Sequence, residues 1–162
     1  MVANKGLVRL HQSCESSTEL ITDMANLAKS QDLVDDSFLV AILEREKNYP
    51  TGLELPISIA IPHIDTGVKK SFVSVATLHE PVVFYNMDGS GSEVQARIVF
   101  VFGITDAKNQ LAILKKFAIS FAQEEKIKPL LETRNPDVLL EGLNMLLDGM
   151  LDINQCEEEV IR

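Results

Sequence analysis

The segment Arg97–Gly103 constrains the fold of this chain more than any other feature. Its sequence, RIVFVFG, is apolar at nearly every position after the arginine. A strand with one solvent-exposed face alternates polar and apolar residues, whereas an uninterrupted apolar run fits a strand that is covered on both faces. The apolar run Ile98–Ile104 is also too short to span a bilayer. The chain is therefore predicted to contain a central strand with helices packed on either side.

Four further β-like segments supply the rest of the predicted sheet. They are Leu7–His11, Ile57–Ile61, Phe72–Leu78 and Val82–Phe84. Pro62 ends the second segment, and the turn-like pair Glu80-Pro81 separates the third from a brief edge piece. The segment 86–92, rich in Gly, Asp and Ser, predicts a surface loop before the central strand.

Helical spacing of apolar residues marks the remaining chain. Ser16 and Glu19 fit a capping box that opens a helix ending near Ser30. A second helix is expected to start at Asp35 or Asp36 and to end before Pro50. Three more are expected over about 111–121, 126–131 and 135–147, the last opened by the pair Asn135-Pro136.

The resulting order, β-α-α-β-β-β-α-α-α, predicts one α/β domain whose sheet lies between helices. We place this domain at residues 1–149, because no linker, repeat or low-complexity segment interrupts it. Residues 150–162 form an acidic, weakly periodic tail, which is expected to fray or to pack only loosely.

Charge excludes several classes of function. The chain carries 24 acidic and 15 basic side chains, a formal net charge of −9. Nucleic acids and anionic membrane surfaces both require basic patches, so neither is an expected partner. The N-terminus, MVANKG, has no apolar signal segment, and Cys14 and Cys156 offer no disulfide framework. We therefore expect a cytoplasmic protein with no direct membrane insertion.

Metal and cofactor motifs are absent from the sequence. The three histidines and two cysteines show no paired ligand spacing, and neither the G-x-G-x-x-G nor the P-loop pattern occurs. We expect no metal and no cofactor.

His63 is the histidine whose position points to chemistry. It follows the predicted buried strand Ile57–Ile61 through Pro62, and α/β proteins place ligands at the carboxyl ends of their strands. Imidazole can serve as base, acid or nucleophile near neutral pH. The alternative is a histidine that only caps the strand end by hydrogen bonding. His79 is interpreted as a solvated turn residue, and nothing around His11 indicates a role.

A second candidate group follows the second predicted helix. Arg45 brings a forked donor, Thr51 a hydroxyl and Gly52 an open backbone, which are groups that an oxyanion such as phosphate uses. The alternative explanation for Arg45 is its favourable charge at a helix C-terminus.

Together these segments resemble a known signature. Arg45-Glu46, Pro50-Thr51-Gly52 and Ile59–His63 are similar to the motif of enzyme IIA proteins of the fructose–mannitol class, in the bacterial phosphoenolpyruvate-dependent sugar phosphotransferase system. The resemblance extends from the second helix to the last. It implies a mixed β-sheet in an α/β/α sandwich.

The resemblance also implies a role for each residue. His63 corresponds to the histidine that accepts a phosphoryl group from the carrier HPr and passes it to enzyme IIB. IIB phosphorylates a sugar or sugar alcohol that enters through the membrane component IIC, so contact with IIC is indirect. Arg45 and Thr51 correspond to residues that help to hold the phosphate.

The sequence departs from many relatives at one position. Where they have a second histidine, next to a leucine, this chain has Gln110 beside Leu111. An amide can donate a hydrogen bond to phosphate but supplies no positive charge, so Gln110 is given a supporting role only. Tyr49–Gly52 together with Gln110-Leu111 is most similar to the galactitol-type branch.

Two other functions stay open on the sequence. A regulatory phospho-switch would share the fold and His63, but its phosphorylation would control binding to a protein target. A non-catalytic α/β binding module would use His63 only as a strand cap, although the combination of Arg45, Thr51 and His63 argues against this.

Overall fold

The computed structural model describes residues 1–153 as strands and helices around a single sheet. After a 3-10 helix at Lys5–Leu7, the elements are β1 (Val8–Gln12), α1 (Ser17–Ser30), α2 (Ser37–Asn48), β2 (Gly52–Leu53), β3 (Ile59–Ala60), β4 (His63–Ile64), β5 (Phe72–Tyr85), β6 (Glu93–Gly103), α3 (Ala107–Ser120), α4 (Glu124–Glu132) and α5 (Pro136–Leu146). Within this part of the chain, no helix has both the length and the apolar character needed to cross a membrane.

The sheet is mixed, and β6 lies at its centre. The strand order is β1-β5-β6-β3-β2, and β4 also pairs with β6. β5 runs antiparallel to β6, whereas β3 and β4 pair with β6 in parallel. Residues Ile98–Gly103 of β6 are all buried, which confirms the prediction of a strand covered on both faces.

Alternate residues of β6 enter two separate cores. Phe100 and Phe102 face α3, where their ring centroids lie 4.9 and 4.7 Å from that of Phe117. Val99 and Val101 point to the opposite face and pack in the core that α1 and α2 cover. Each fully buried large side chain contributes roughly 1.5–3 kcal/mol. The architecture is the predicted α/β/α sandwich.

The predicted turn at Glu80-Pro81 is wrong, because β5 continues through it. Residues 78–81 of β5 lie opposite Arg97 alone, between the paired positions Thr77↔Ile98 and Val82↔Ala96. A bulge of this kind leaves backbone groups unpaired, so a proline without an N–H is tolerated there. The predicted edge piece is therefore the second half of one long strand.

The predicted strand Ile57–Ile61 is shorter in the structure, where only β3 (Ile59–Ala60) forms, and its pairing with β6 was not predicted. Ala60 of β3 pairs with Val99, and His63 of β4 pairs with Phe102. Pro62 separates the two short strands, and its carbonyl accepts a hydrogen bond of 2.9 Å from the Phe102 amide. Both strands therefore follow β6, and His63 is fixed in register with its carboxyl end.

Helix boundaries agree closely with the sequence except at α3, which starts at Ala107, about four residues before the predicted start near 111. Ser16 caps α1, accepting a hydrogen bond of 3.1 Å from the Glu19 amide. The start of α2 lies slightly later than predicted, at Ser37, whose amide donates to the Asp35 carboxylate at 2.8 Å. The short helix expected over 126–131 is α4, which extends one to two residues further at each end.

The first residues of the predicted tail lie against the N-terminus. The Asp152 amide donates to the Met1 carbonyl at 2.7 Å, and the Ala3 amide donates to the Asp152 carbonyl at 3.2 Å. Leu151 is buried in the core beneath α5. Residues 154–162 lie outside the described part of the chain, and the boundary after residue 149 stays a prediction.

Candidate functional site

His63 is held in one tautomer at the carboxyl end of β6. Its side chain is only 5% exposed. Its ring nitrogen Nδ1 lies 2.7 Å from the carbonyl oxygen of Ile61. A carbonyl can only accept, so Nδ1 carries the hydrogen and donates it. The other nitrogen, Nε2, therefore holds a lone pair.

Burial also lowers the pKa of His63 below its ordinary value. The positive charge of Arg45 acts in the same direction, while the hydrogen bond to Ile61 opposes both. The imidazole is thus kept neutral near pH 7, because a protonated ring would be poorly solvated and would face a cation. A neutral imidazole with an available nitrogen is a nucleophile.

Arg45 lies beside that nucleophilic nitrogen. It occupies the last turn of α2, and its Nη2 is 3.5 Å from Nε2 of His63, at the outer limit of a hydrogen bond. Its Cζ lies 5.6 Å from the ring centroid of Tyr49, within the range of a cation–π contact. Its Nε is buried and has no hydrogen-bond acceptor within residues 1–153. The guanidinium therefore has donors to spare for an anion at Nε2.

Thr51 is tied to Glu46, the neighbour of Arg45. The Glu46 carboxylate accepts the Thr51 amide at 2.9 Å and the Thr51 hydroxyl at 2.8 Å. The Thr51 hydroxyl oxygen in turn accepts the Ile61 amide at 3.2 Å. The hydroxyl proton of Thr51 is therefore used by Glu46, and Thr51 links α2 to Ile61, the residue whose carbonyl orients His63.

Glu46 is the residue of this site for which no separate role was predicted. Burial raises its pKa to about 7, even though the two bonds from Thr51 and the charge of Arg45 favour the ionised form. Glu46 was visible only as the partner of Arg45 in the motif. An acidic residue in the last turn of a helix, five positions before a threonine, was the signal that could have identified it.

Gly52 serves close packing rather than an open anion site. A Cβ at this position would lie 2.6 Å from the carbonyl oxygen of Tyr85. The Gly52 carbonyl also accepts the Met87 amide at 2.8 Å. The glycine after Thr51 therefore lets β2 lie against the end of β5, which fixes the segment that carries Thr51.

Gln110 lies in the first turn of α3 and is half-buried. This helix starts shortly after Gly103, the β6 residue that pairs with Ile64. Gln110 is thus brought to the same end of the sheet as His63. Within the described residues, however, no hydrogen bond joins its side chain to His63, Arg45 or Thr51.

The other two histidines lie elsewhere. Nε2 of His11 is 3.0 Å from the carbonyl oxygen of Thr133, and the ring of His79 is exposed, 4.0 Å from the Glu80 carboxylate. His79 is solvated as predicted, but it lies in the bulge of β5 rather than in a turn.

Local structure at the start of α1 brings three potential metal ligands together in residues 1–153: Cys14, Glu19 and Asp23, with candidate ligand atoms within 4.8 Å of one another. Burial and then the two carboxylates raise the pKa of the Cys14 thiol. A thiol that stays protonated is a poor ligand, since metals bind the thiolate.

The similarity to known proteins agrees with this geometry. A family model described as "Phosphoenolpyruvate-dependent sugar phosphotransferase system, EIIA 2" matches residues 1–145. The chain is 28% identical over 148 residues to the mannitol-specific phosphotransferase enzyme IIA component of Geobacillus stearothermophilus, and the match covers 88% of this chain and 95% of that protein.

Two solved structures share the fold. The crystal structure of IIA mannitol from Escherichia coli has a TM-score of 0.71 at 22% identity, covering 88% of this chain and 99% of that one. The complex of enzyme IIA mannitol with phosphorylated enzyme IIB mannitol from Escherichia coli has a TM-score of 0.66 at 22% identity, covering 89% and 95%.

The family resemblance drawn from the sequence is thus confirmed, whereas the galactitol-type branch is not, since the curated relative is mannitol-specific. Because the family model spans nearly the whole chain and the fold agrees, the protein belongs to the EIIA 2 family of the phosphoenolpyruvate-dependent sugar phosphotransferase system.

Proposed function

We propose that this protein is a phosphocarrier in which His63 accepts a phosphoryl group from phospho-HPr and passes it to an enzyme IIB. The observation that carries the proposal is the contact between Nε2 of His63 and the guanidinium of Arg45. It places a nucleophilic lone pair beside a group that binds phosphate well.

The proposed step balances without a cofactor. The Nε2 lone pair of His63 attacks phosphorus, the N–P bond to the HPr histidine breaks, and that electron pair returns to the imidazole of HPr. The His63 ring keeps its Nδ1 hydrogen and gains positive charge, which the Ile61 carbonyl at 2.7 Å stabilises. Attack on the same phosphorus by a nucleophile of IIB reverses the change and restores neutral His63.

The residues around His63 position its ring and neutralise part of the charge on the phosphoryl group. A phosphoryl group adds about two negative charges near neutral pH, and Arg45 offsets part of them. Thr51 holds the segment that carries Ile61, so it acts on the His63 ring through the backbone. We propose that Thr51 also reaches the phosphate once Glu46 releases its hydroxyl. Gln110 donates from the first turn of α3.

For the cargo we propose a sugar or sugar alcohol that IIB phosphorylates after entry through IIC. The residues Tyr49–Gly52 and Gln110-Leu111 favour galactitol, while the Geobacillus relative points to mannitol. Purified IIB domains of the galactitol and mannitol systems, offered separately to the phosphorylated protein, would identify the cargo by the faster transfer. We further propose that these steps take place in the cytoplasm.

The central test is phosphorylation in a purified system. The protein is incubated with phosphoenolpyruvate, enzyme I and HPr, and its intact mass is measured before and after mild acid. We expect an acid-labile gain of one phosphate in the wild type and in His79→Ala, and none in His63→Ala. Absence of labelling in the wild type contradicts the carrier function, and full labelling of His63→Ala contradicts the residue assignment.

A regulatory phospho-switch differs in the second half of the reaction. It would be labelled at His63 in the same way, but the label would not reach any IIB. Loss of the label from His63 on addition of IIB, with its appearance on IIB, supports the transport role. Retention of the label with both IIB domains supports the regulatory role instead.

A further inference from the structure

The two histidines that lie away from His63 line the same cavity. This cavity has a volume of about 420 Å³, and its charged or titratable lining consists of His11, His79, Arg97, Glu124, Lys128 and Glu132. The side chains come from β1, β5, β6 and α4. None of these residues has a part in the phosphoryl transfer proposed for His63.

The cavity is remote from the phosphoryl-transfer site. Arg97 precedes Phe102, the β6 partner of His63, by five residues. Five residues of a strand span roughly 16 Å. The cavity also lies where β5 bulges, since residues 78–81 have only Arg97 opposite them. A bulge bends the strand and increases its local twist.

Arg97 brings a guanidinium to the cavity that forms no salt bridge within residues 1–153. Its amide is fixed by a hydrogen bond of 2.8 Å to the carbonyl of Ser58. Its Nε is buried and lacks a hydrogen-bond acceptor among residues 1–153, and the salt bridges of that range do not include this guanidinium. Because Nε is closed to solvent, an anion in the cavity would be held by the terminal Nη donors of the guanidinium, which form no hydrogen bond within residues 1–153.

His11 is held at the cavity wall by a strained backbone. Its φ is +52°, in the left-handed region that residues other than glycine rarely adopt. Its amide donates to the Thr77 hydroxyl at 2.9 Å, and Nε2 of its ring donates to the Thr133 carbonyl at 3.0 Å. A residue other than glycine in this region costs on the order of 1–3 kcal/mol, and such residues cluster at functional sites, although His, Asn and Asp adopt it more often than other types.

The lining shows which ligand chemistry fits. Arg97 and Lys128 offer charged donors to an anion, and the Arg97 fork suits phosphate. The carboxylates of Glu124 and Glu132 repel a bare dianion but accept hydrogen bonds from hydroxyl groups. A volume of about 420 Å³ lies within the range of small-ligand sites.

We propose that this cavity is a second ligand site that binds a small phosphorylated polyol or sugar, with the phosphate on Arg97 and the hydroxyls on the glutamates. The site does not depend on the carrier function of His63. It gives the protein a means of sensing a sugar phosphate apart from the phosphoryl group that it carries.

The test follows backbone amide NMR signals during titration of the full chain with glucose 6-phosphate at low salt. We expect saturable shifts at His11, Leu78, Arg97 and Lys128. Inorganic phosphate is expected to bind this cavity more weakly, because it cannot use the glutamates, and sorbitol is expected to leave the four signals in place. Glucose 6-phosphate and inorganic phosphate are also expected to shift amide signals near Arg45, and those signals are followed separately from the four at the cavity.

Arg97→Gln is expected to weaken glucose 6-phosphate binding at the cavity by about tenfold or more, since a charge-assisted bond is lost. Arg97→Lys keeps the positive charge but not the forked donor, so its affinity for glucose 6-phosphate should lie between those of Arg97→Gln and the wild type. Arg134→Gln, an exposed arginine outside the cavity, is the matched control and should bind like the wild type. Shifts confined to the surroundings of Arg45 and His63, or equal affinity in the wild type, Arg97→Gln and Arg97→Lys, would overturn the proposal.

Discussion

Nδ1 of His63 lies 2.7 Å from the carbonyl oxygen of Ile61, two residues earlier in the chain. This single hydrogen bond decides which ring nitrogen keeps a lone pair. The protonated nitrogen Nδ1 donates to this carbonyl, and the unprotonated nitrogen Nε2 faces Arg45.

We therefore predict that phosphorylated His63 carries its phosphate on Nε2. The measurement is the 15N and 31P NMR spectrum of the phosphorylated protein, in which the two phosphohistidine isomers differ in shift and coupling. His79→Ala, which removes an exposed imidazole, should give the same spectrum. Phosphate on Nδ1 would show that the Ile61 bond breaks during the reaction, against this prediction.

Arg45→Gln is predicted to slow phosphorylation of His63 without unfolding the protein. A hydrogen bond to a charged group is worth about 1.5–3 kcal/mol, so the loss in kcat/KM should be about tenfold to a hundredfold. Arg45→Lys should recover only part of it, because the fork is lost. Lys47→Gln, two residues later on the same helix and exposed, is the matched control. An unchanged rate in Arg45→Gln would remove Arg45 from the mechanism.

Glu46 is predicted to make stability fall as pH rises through neutrality. Its pKa is raised from 4.5 to about 7 in the folded protein, so the native state binds more protons than the unfolded state between these values. The contribution of Glu46 to the free energy of unfolding is fully present below about pH 4.5 and is lost as the pH rises through 7. The loss is on the order of 3 kcal/mol.

The matched variant for this prediction is Glu46→Gln, which cannot titrate at that position. Urea unfolding at several pH values from 5 to 8 should show a wild-type free energy of unfolding that declines relative to the variant. The pKa of His63 is lowered, so this residue makes the free energy of unfolding rise with pH up to its ordinary pKa. Because His63 is present in both proteins, its contribution cancels in the comparison. Parallel curves would contradict the raised pKa of Glu46.

Thr51→Val is predicted to cost about 1–3 kcal/mol in the free energy of unfolding and to slow phosphoryl transfer. The change removes the hydroxyl that donates to Glu46 and accepts from the Ile61 amide. Thr51→Ser keeps the hydroxyl and should restore most of both properties. Urea unfolding and the rate of labelling by phospho-HPr are the measurements. A Thr51→Ser variant as impaired as Thr51→Val would show that the methyl group matters, not the hydroxyl.

Gln110→Ala is predicted to slow transfer of the phosphoryl group from His63 to IIB while leaving stability nearly unchanged. The side chain is half-buried in the first turn of α3 and has no hydrogen bond to the His63 site before phosphorylation. Its expected contribution therefore appears only when phosphate is present. The neighbouring exposed residue Asn109, changed to Ala, is the control. Transfer from Gln110→Ala at the wild-type rate would rule out the supporting role.

The amino-acid sequence alone determined the helices, the central strand and the candidate residues of the site. Helices and the apolar β6 are local patterns, since periodicity and capping residues such as Ser16 act within a few positions. His63 could be singled out for a similar reason, because a proline and a buried strand precede it. The resemblance that joined His63 to Arg45 and Thr51 depended on motif spacing, which is also readable along the chain.

Only the tertiary structure decided how the strands pair and which contacts the site residues make with one another. The extension of β5 through Pro81 depends on its pairing with β6, and the short strands β2 and β4 exist only because neighbours supply their hydrogen bonds. The Glu46 pKa near 7 arises from burial, and the contact of Arg45 with Nε2 of His63 joins two residues that lie eighteen positions apart in the chain. Strand pairing and burial depend on residues that are distant in sequence, so no local pattern encodes them, and only packing sets their distances.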